Sequence, residues 1–532
     1  MVWEKKKKRK NYANRFSAIL SVALIVNLGL YRLPDSIFGL KIKKVDLLSD
    51  IRKPIEGDTD NVPVILTDDE NAYLSVTSGN QDIMPTADIP VSPAIQPSVP
   101  PEAQPPLLSP GSTDEQSPGS SDHQATNDTV TDVFDRETNI NQQNTSSNAS
   151  GNDNNTDYLS NTQIEDFSPD HTGLSRFFSA LNRVNHLGRP VRIAFLGDSF
   201  IEGDILVADF RAKMQERFGG RGVGFIPITS NVAQYRPTIK QSADGWETYS
   251  IIKNRNIKYV LSGLIFEPKS NKASIRFQTV DIYPELEEVS SIKFIYSNNK
   301  NTGLLLKSDT DTSYHELPPT ESVTQYEIKG KFTKGSMHFR NIAGLKAIGV
   351  AFEDNRGVVV DNFSLRGNSG IILSELDDES CRELQRIRPY DLIVMQYGLN
   401  VASDSIRGYG WYRNRMVSVI EHMQYCFPGA DILILGVSDR SHKNNGAYST
   451  MPAVLSLLRA QRQTARETEV TFWSIFAAMG GRNSMIKYVN SNWASKDYTH
   501  LSFRGGKEIA RALFDAIITE KDFYDDDERF VE

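Results

Sequence analysis

Four polar clusters in this 532-residue chain follow apolar runs or precede a helix, and they carry side chains able to do chemistry. They are Ser199 in Gly197-Asp198-Ser199-Phe200, Asn400 in Gly398-Leu399-Asn400, the pair Ser438-Asp439, and Asp497-Tyr498-Thr499-His500. A serine hydroxyl is a poor nucleophile until a neighbouring base takes its proton. Histidine supplies such a base, and a carboxylate on its other ring nitrogen fixes the tautomer and stabilises the imidazolium. Ser199, His500 and Asp497 are therefore the candidate nucleophile, base and orienting acid of an acyl-transfer site. Taken singly each is a weak signal, because a serine at a strand-to-helix turn is also a good helix N-cap. His442, beyond the third apolar run, is the alternative base.

Residues so far apart in sequence need a scaffold that gathers them. Val191-Arg192-Ile193-Ala194-Phe195-Leu196 is a short apolar run ending just before Ser199, and an amphipathic helix is expected over 205–218. Similar pairs recur: a strand at 390–396 with a helix at 411–426, then a strand at 431–435 with a helix at 451–467. A strand at 470–473, a last helix at 505–518 and an early helix at 175–185 complete the set. Continuous apolar strands alternating with helices imply a parallel sheet covered on both faces, with ligands bound at the carboxyl ends of its strands. Between these units, 230–362 is rich in Thr, Tyr, Ile, Val and Ser, in short alternating runs such as Ala273-Ser274-Ile275-Arg276-Phe277. Short strands between polar turns read as a β-sandwich inserted into the α/β unit. Its two ends are expected near the active-site edge, where the sandwich would wall the pocket.

Composition removes several function classes. With 59 Lys+Arg against 67 Asp+Glu and a net charge of −8, a predominantly basic nucleic-acid binder is excluded. Two cysteines, Cys381 and Cys426, rule out a disulfide-dense scaffold and a Cys-rich zinc site; both are read as buried thiols. The eight histidines show no paired spacing for a metal, so neither metal nor cofactor is expected. The glycine-rich run at 219–224 follows a helix and has no downstream lysine, which argues against a phosphate loop. Tyr235 and Trp246 are candidates for stacking on sugars, although such aromatics are commonly core.

The amino terminus reads as an export device. Lys5 to Lys8, Arg9, Lys10 and Arg15 precede an apolar segment at 16–33, and no small-x-small cleavage site follows. An uncleaved anchor is preferred over a cleaved signal or a buried helix, which places the rest of the chain on the periplasmic side of the cytoplasmic membrane. The stretch 84–120 then carries ten prolines and 138–162 is Asn-rich, so 34–165 is expected to be a largely disordered linker.

Gly197-Asp198-Ser199-Phe200, Gly398-x-Asn400 and Asp497-x-x-His500, in that order, resemble the blocks of the SGNH (GDSL-like) hydrolase superfamily. The likeness covers roughly 170–228 and 363–520. It implies a flavodoxin-like three-layer sandwich and an oxyanion hole formed by the Ser199 and Gly370 amides with the Asn400 side chain. Gly367 is the alternative glycine. Two positions depart from the pattern: Phe200 stands where Leu is usual, and Val401 follows Asn400 where Asp is common. A closer likeness is to bacterial enzymes with an inserted β-sandwich that remove O-acetyl groups from peptidoglycan or other surface glycans. The implied partner is an acetylated glycan. The same residues would serve an O-acetyltransferase, with a membrane-bound acyltransferase as its partner, and a non-catalytic glycan binder is the third reading. The resulting map is a basic cytoplasmic tail at 1–15, anchor or signal at 16–33, linker at 34–165 and a first hydrolase segment at 166–229. The inserted sandwich, a candidate carbohydrate-binding module, occupies 230–362; a second hydrolase segment spans 363–520 and an acidic tail 521–532.

Overall fold

The apolar run before Ser199 forms a strand inside a six-stranded sheet in the computed structural model, which describes residues 157–527 except 407 and 445, and two short strands near the amino terminus. Those two, Ser36–Ile37 and Leu40–Lys41, pair antiparallel with each other. The expected tail at 1–15, the anchor at 16–33, most of the linker and the last residues of the acidic tail lie outside the described residues. Among the described residues no helix is long and apolar enough to cross a membrane.

The α/β unit runs β1 (Glu165–Asp166), α1 (Ser175–Asn182), β2 (Val191–Gly197), α2 (Val207–Phe218), β3 (Val358–Ser364) and α3 (Asp378–Ile387). It continues β4 (Leu392–Gln396), α4 (Gly410–Cys426), β5 (Asp431–Gly436), α5 (Pro452–Glu467), β6 (Thr471–Ser474) and α6 (Phe503–Asp526). The sheet order is β3-β2-β4-β5-β6-β1, parallel from β3 to β6, with β1 antiparallel at the edge. Leaving β1 aside, this is the flavodoxin-like order 2-1-3-4-5, and its switch point lies between β2 and β4. Right-handed crossovers put α2, which steps to β3, on the face opposite α3, α4 and α5, which step the other way. β2, β4 and β5 are buried along their whole length, as strands covered on both faces must be.

Three boundaries differ from the sequence reading. β3 belongs to the α/β sheet rather than to the insert, and the expected border at 362/363 falls inside it. Asp361 and Asn362 interrupt its apolar pattern, yet both are buried, Asp361 against Arg388 and Asn362 against Asp204. The fold also begins earlier than 166, since Tyr158 and Ile164 are buried in the main core. At the other end α6 runs to Asp526, where Asp525 accepts from Lys521 and Asn182 rather than forming a free acidic tail.

The insert is a β-sandwich. One sheet has the order Thr324–Phe332, Val289–Ser297, Lys346–Glu353, Leu264–Pro268, Trp246–Ser250, with Gly224–Ile226 added beside Lys346–Glu353. The other runs Thr312–Glu316, Gly303–Ser308, Lys334–Arg340, Ser274–Gln278, Lys240–Asp244. Their inner faces share a core in which Phe294 and Trp246 meet Phe339, and Phe277 meets Phe352. The chain crosses between the two units at the amino end of β3, not at the active-site edge. Val358 donates to the Gly219 carbonyl at 2.8 Å, and Gly222, at φ +92°, packs so tightly that a Cβ would collide with the Phe352 carbonyl oxygen. The glycine-rich run is this crossing.

Charge buried between the units binds them. Glu353 of the sandwich accepts from Arg192 of β2 at 2.9 Å, from Arg388 at 2.5 Å and from Lys293 at 2.7 Å. Arg388 also reaches Asp361 of β3, which accepts from the Tyr390 hydroxyl and the Phe225 amide. Burial opposes ionisation of Glu353, but its cationic neighbours Arg388, Arg192 and Lys293 overcome that and hold it well below the usual carboxylate range.

Candidate active site

β2 ends at Gly197, so Ser199 sits just past a carboxyl end, at the switch point of the sheet. His500 reaches it from the loop before α6. The amino end of α6 is capped by the Ser502 hydroxyl, and Gly506 lets the helix press on the segment after Ser199: a Cβ there would collide with the Ile205 carbonyl oxygen. Ser199 Oγ and His500 Nε2 are 3.0 Å apart, and His500 Nδ1 lies 2.7 Å from Asp497 Oδ2. The other carboxylate oxygen accepts from the Ser495 hydroxyl at 2.5 Å and from the amides of Thr499 at 2.9 Å and His500 at 3.0 Å. Burial raises the Asp497 carboxyl, but the His500 hydrogen bond and charge, with the Ser495 hydroxyl, outweigh it and hold the group well below the usual range. The three side chains form a connected hydroxyl, imidazole and carboxylate, the arrangement that a nucleophile, base and orienting acid require.

The loop between acid and base is held in an uncommon conformation. Tyr498 has a φ of +57°, a left-handed value that costs a side-chain-bearing residue energy unless its surroundings enforce it. Its ring stacks on Tyr448 at 3.7 Å between centroids, and its carbonyl accepts from the Ser441 amide. Ser441 and Tyr448 belong to a hairpin, Ser441–Asn444 with Ala447–Thr450, that follows β5. The hairpin also carries His442, whose Nδ1 pairs with Asp404 Oδ2 at 2.8 Å in the loop after Asn400. The alternative base is thus engaged with Asp404, while His500 meets the serine.

Gly370 and Asn400 come together through a residue that the sequence reading does not single out. The Gly370 amide donates to Asn368 Oδ1 at 2.8 Å, and Asn400 Nδ2 donates to the Asn368 carbonyl at 3.0 Å and to Asp198 Oδ2 at 2.8 Å. Gly370 is buried at φ +89°, with a Tyr397 ring carbon 2.9 Å from where a Cβ would stand. Gly367 is exposed and has nothing within 4 Å of that position. Asp198 is buried beside the serine, and burial pushes its carboxyl up to about 6 against the opposing Phe200 amide and the His500 charge. Asn368 and Asp198 tie the loops after β2, β3 and β4 into one cradle. Only their adjacency to Ser199 and Gly370 marks them in the sequence.

The remaining sequence candidates have other surroundings. Ser438 and Asp439 are buried, and Asp439 Oδ2 accepts from the Met485 amide at 2.9 Å, which anchors the short helix Ser484–Asn490. Trp246 is a core residue of the sandwich, donating to the Ser274 carbonyl. Tyr235 is half-buried at the base of the insert.

No family model and no curated protein matches this sequence. Among solved structures, a peptidoglycan O-acetylesterase matches with a TM-score of 0.56 and 19% identity, over 68% of this chain and 99% of that one. The α/β unit alone makes up less than half of the chain, so the match extends into the sandwich. A family two carbohydrate esterase from Cellvibrio japonicus (TM-score 0.24, 11% identity, 54% of this chain and 99% of that one) is a weaker likeness. So is a GDSL-like lipase from Parabacteroides merdae (TM-score 0.25, 15% identity, 30% and 72%). Neither carries an argument at those scores. With the strand order, the switch-point serine and the first of these matches in hand, the chain has the SGNH hydrolase fold with a β-sandwich set into it.

Proposed function

We propose that this protein is a serine esterase that removes O-acetyl groups from a cell-envelope glycan. The observation that carries the reading is the unbroken relay from Ser199 Oγ through His500 to Asp497, at 3.0 and 2.7 Å. His500 takes the Ser199 proton as Oγ bonds to the ester carbonyl carbon. Collapse of the tetrahedral intermediate breaks the bond to the sugar oxygen, which leaves with that proton. A water then loses a proton to His500 and attacks the acyl-serine; acetate departs and Ser199 regains its proton. Asp497 keeps Nδ1 protonated throughout.

The oxyanion would be met by the Ser199 and Gly370 amides and the Asn400 side chain. Donors of this kind are worth ~3–4 kcal/mol each where one has been removed from another serine hydrolase. In the structure the Gly370 amide hydrogen and both Asn400 Nδ2 hydrogens are given to Asn368 and Asp198, so these acceptors would have to yield them to the oxyanion. The likeness to a peptidoglycan O-acetylesterase supports the acetyl ester and the glycan. The basic head and apolar segment at 16–33 support a membrane-tethered location on the periplasmic side, where such a glycan lies. Purified protein should release acetate from a chromogenic acetyl ester and from acetylated peptidoglycan, and Ser199→Ala should abolish both. Unchanged turnover in that variant would overturn the assignment.

A further inference from the structure

The two cysteines and a histidine left out of the mechanism meet between α3 and α4. Asp378 and Cys381 lie one turn apart on α3, and His422 and Cys426 lie one turn apart on α4, so each helix offers both side chains from one face. His422 Nδ1 stands 3.4 Å from Asp378 Oδ1, and His422 Nε2 stands 3.6 Å from Cys426 Sγ. Cys426 Sγ is 4.0 Å from the same Asp378 oxygen. One donor atom from each of these three residues lies within 4.8 Å of the other two. Cys381 lies behind them on α3, with its Sγ 3.9 Å from the Tyr259 carbonyl oxygen, and both cysteines are buried.

We propose that Asp378, His422 and Cys426 form a binding site for a zinc-class divalent cation, leaving the fourth position to water. Zinc bonds of ~2.0–2.3 Å in tetrahedral geometry place neighbouring donors ~3.3–3.8 Å apart. The imidazole would commit one of its nitrogens, and donors now within 4.8 Å would draw in by about 1 Å, which side-chain rotation supplies. Thiolate and imidazole select zinc over magnesium or calcium, which take oxygen ligands. Exposure is graded along the site: the Asp378 side chain is 57% exposed, His422 is 15% exposed, and Cys426 is buried. An ion can therefore enter past the carboxylate and lose water at the imidazole and the thiol. Paired-histidine spacing does not find this set, which is His-x-x-x-Cys on one helix and a single Asp on another.

Bound metal would clamp α3 to α4. The clamp would join the amino-terminal turn of α3 to the carboxyl-terminal turn of α4, the end of that helix away from the Asn400 loop. The site does not depend on the esterase reading, since none of its residues touches Ser199 or His500.

The test is a cobalt titration of the full-length protein under reducing conditions, with zinc added afterwards. The proposal expects one equivalent of cobalt to give a thiolate-to-cobalt charge-transfer band that zinc abolishes, together with a zinc-dependent rise in melting temperature. Cys426→Ala should remove the band. His422→Ala and the milder Asp378→Asn should each weaken cobalt binding about 10–100-fold while the circular dichroism spectrum stays native. Absence of the band in reduced wild-type protein would overturn the proposal, as would unchanged cobalt affinity in both His422→Ala and Asp378→Asn. So would a Cys381–Cys426 disulfide that persists in the protein under the titration conditions, because it consumes the Cys426 thiolate.

Discussion

Asp497→Asn separates a catalytic relay from a fortuitous cluster. Three donors converge on Asp497 Oδ1: the Ser495 hydroxyl and the amides of Thr499 and His500. In the variant these donors fix the amide oxygen at that position, so the new NH2 faces His500 Nδ1, which in the native chain stands 2.7 Å from the carboxylate. Two donors cannot share that contact. The imidazole must give up its Nδ1 proton and carry one on Nε2 instead, where it points at Ser199 3.0 Å away and cannot accept the hydroxyl proton. The base is lost with almost no change in shape. The corresponding change in a serine protease lowers kcat ~10⁴-fold, about 5.5 kcal/mol of barrier. We expect a loss on the order of 10³–10⁴-fold in kcat on a chromogenic acetyl ester, with KM little changed because the substrate pocket is intact. Melting curves must accompany the kinetics, since the carboxylate also contributes to stability. Its folded pKa is depressed, so that contribution is complete above about pH 4, where an unfolded aspartate is ionised, and is lost as pH falls through the folded value. A folded Asp497→Asn enzyme retaining more than about a tenth of wild-type kcat would refute the relay.

Glu353→Gln should destabilise the protein by ~3–5 kcal/mol, because Arg192, Arg388 and Lys293 would face a neutral group in a buried site. Urea unfolding measures this, and a loss below ~1 kcal/mol would contradict the reading. Asp198 has a folded pKa raised to about 6 by burial, so its contribution to stability is full below about pH 4 and lost as pH rises through 6. Asp198→Asn should remove that component of the pH dependence, which unfolding at a series of pH values would detect; an identical slope in wild type and variant would count against it. Tyr448→Ala removes the ring stacked on Tyr498, and at ~0.5–1.5 kcal/mol for such a pair kcat/KM should fall roughly two- to tenfold. Activity equal to wild type would show that the loop between Asp497 and His500 keeps its shape unaided.

The elements of the fold legible in the sequence are those whose burial follows a simple period. β2, β4 and β5 are covered on both faces and read as apolar runs whose interior is broken only by Arg192 of β2, which places Ser199 and Asn400 at strand ends. β3 escapes such a reading because Asp361 and Asn362 lie inside it, and nothing in a periodic pattern reports that Arg388 and Asp204 neutralise or bond them. Asn368 escapes for a related reason. Its role comes from proximity in space, through Gly370 two residues on and Asn400 in another loop. His442 competes with His500 on sequence grounds alone, and each has a carboxylate on Nδ1; the 3.0 Å contact of His500 Nε2 with Ser199 Oγ decides between them.

The place of the sandwich changes what it can do for catalysis. Had both its ends entered at the carboxyl edge of the sheet, it could have been exchanged for a short loop with the site left standing. Instead the chain crosses at the amino end of β3, and the buried Glu353 makes the sandwich the counter-ion for Arg192 and Arg388 of the α/β unit. Removing it would leave Arg192 buried without Glu353. One arm reaches the turn after Ser199, and a second segment, 251–263, packs against Leu365 and Asp377 on either side of the Gly370 loop. Thr238 donates to Asp204 at 2.5 Å and Arg236 lies 3.8 Å from the same carboxylate, which also accepts from Asn362 of β3 and Arg211 of α2. Asp204, five residues past Ser199, is held at a left-handed φ of +69°. Four contacts from three segments of the chain enforce that conformation, and one of those segments is the insert. The sandwich therefore acts on Ser199 first as a support for the turn that presents it, and any grip it has on a polymer is added to that role.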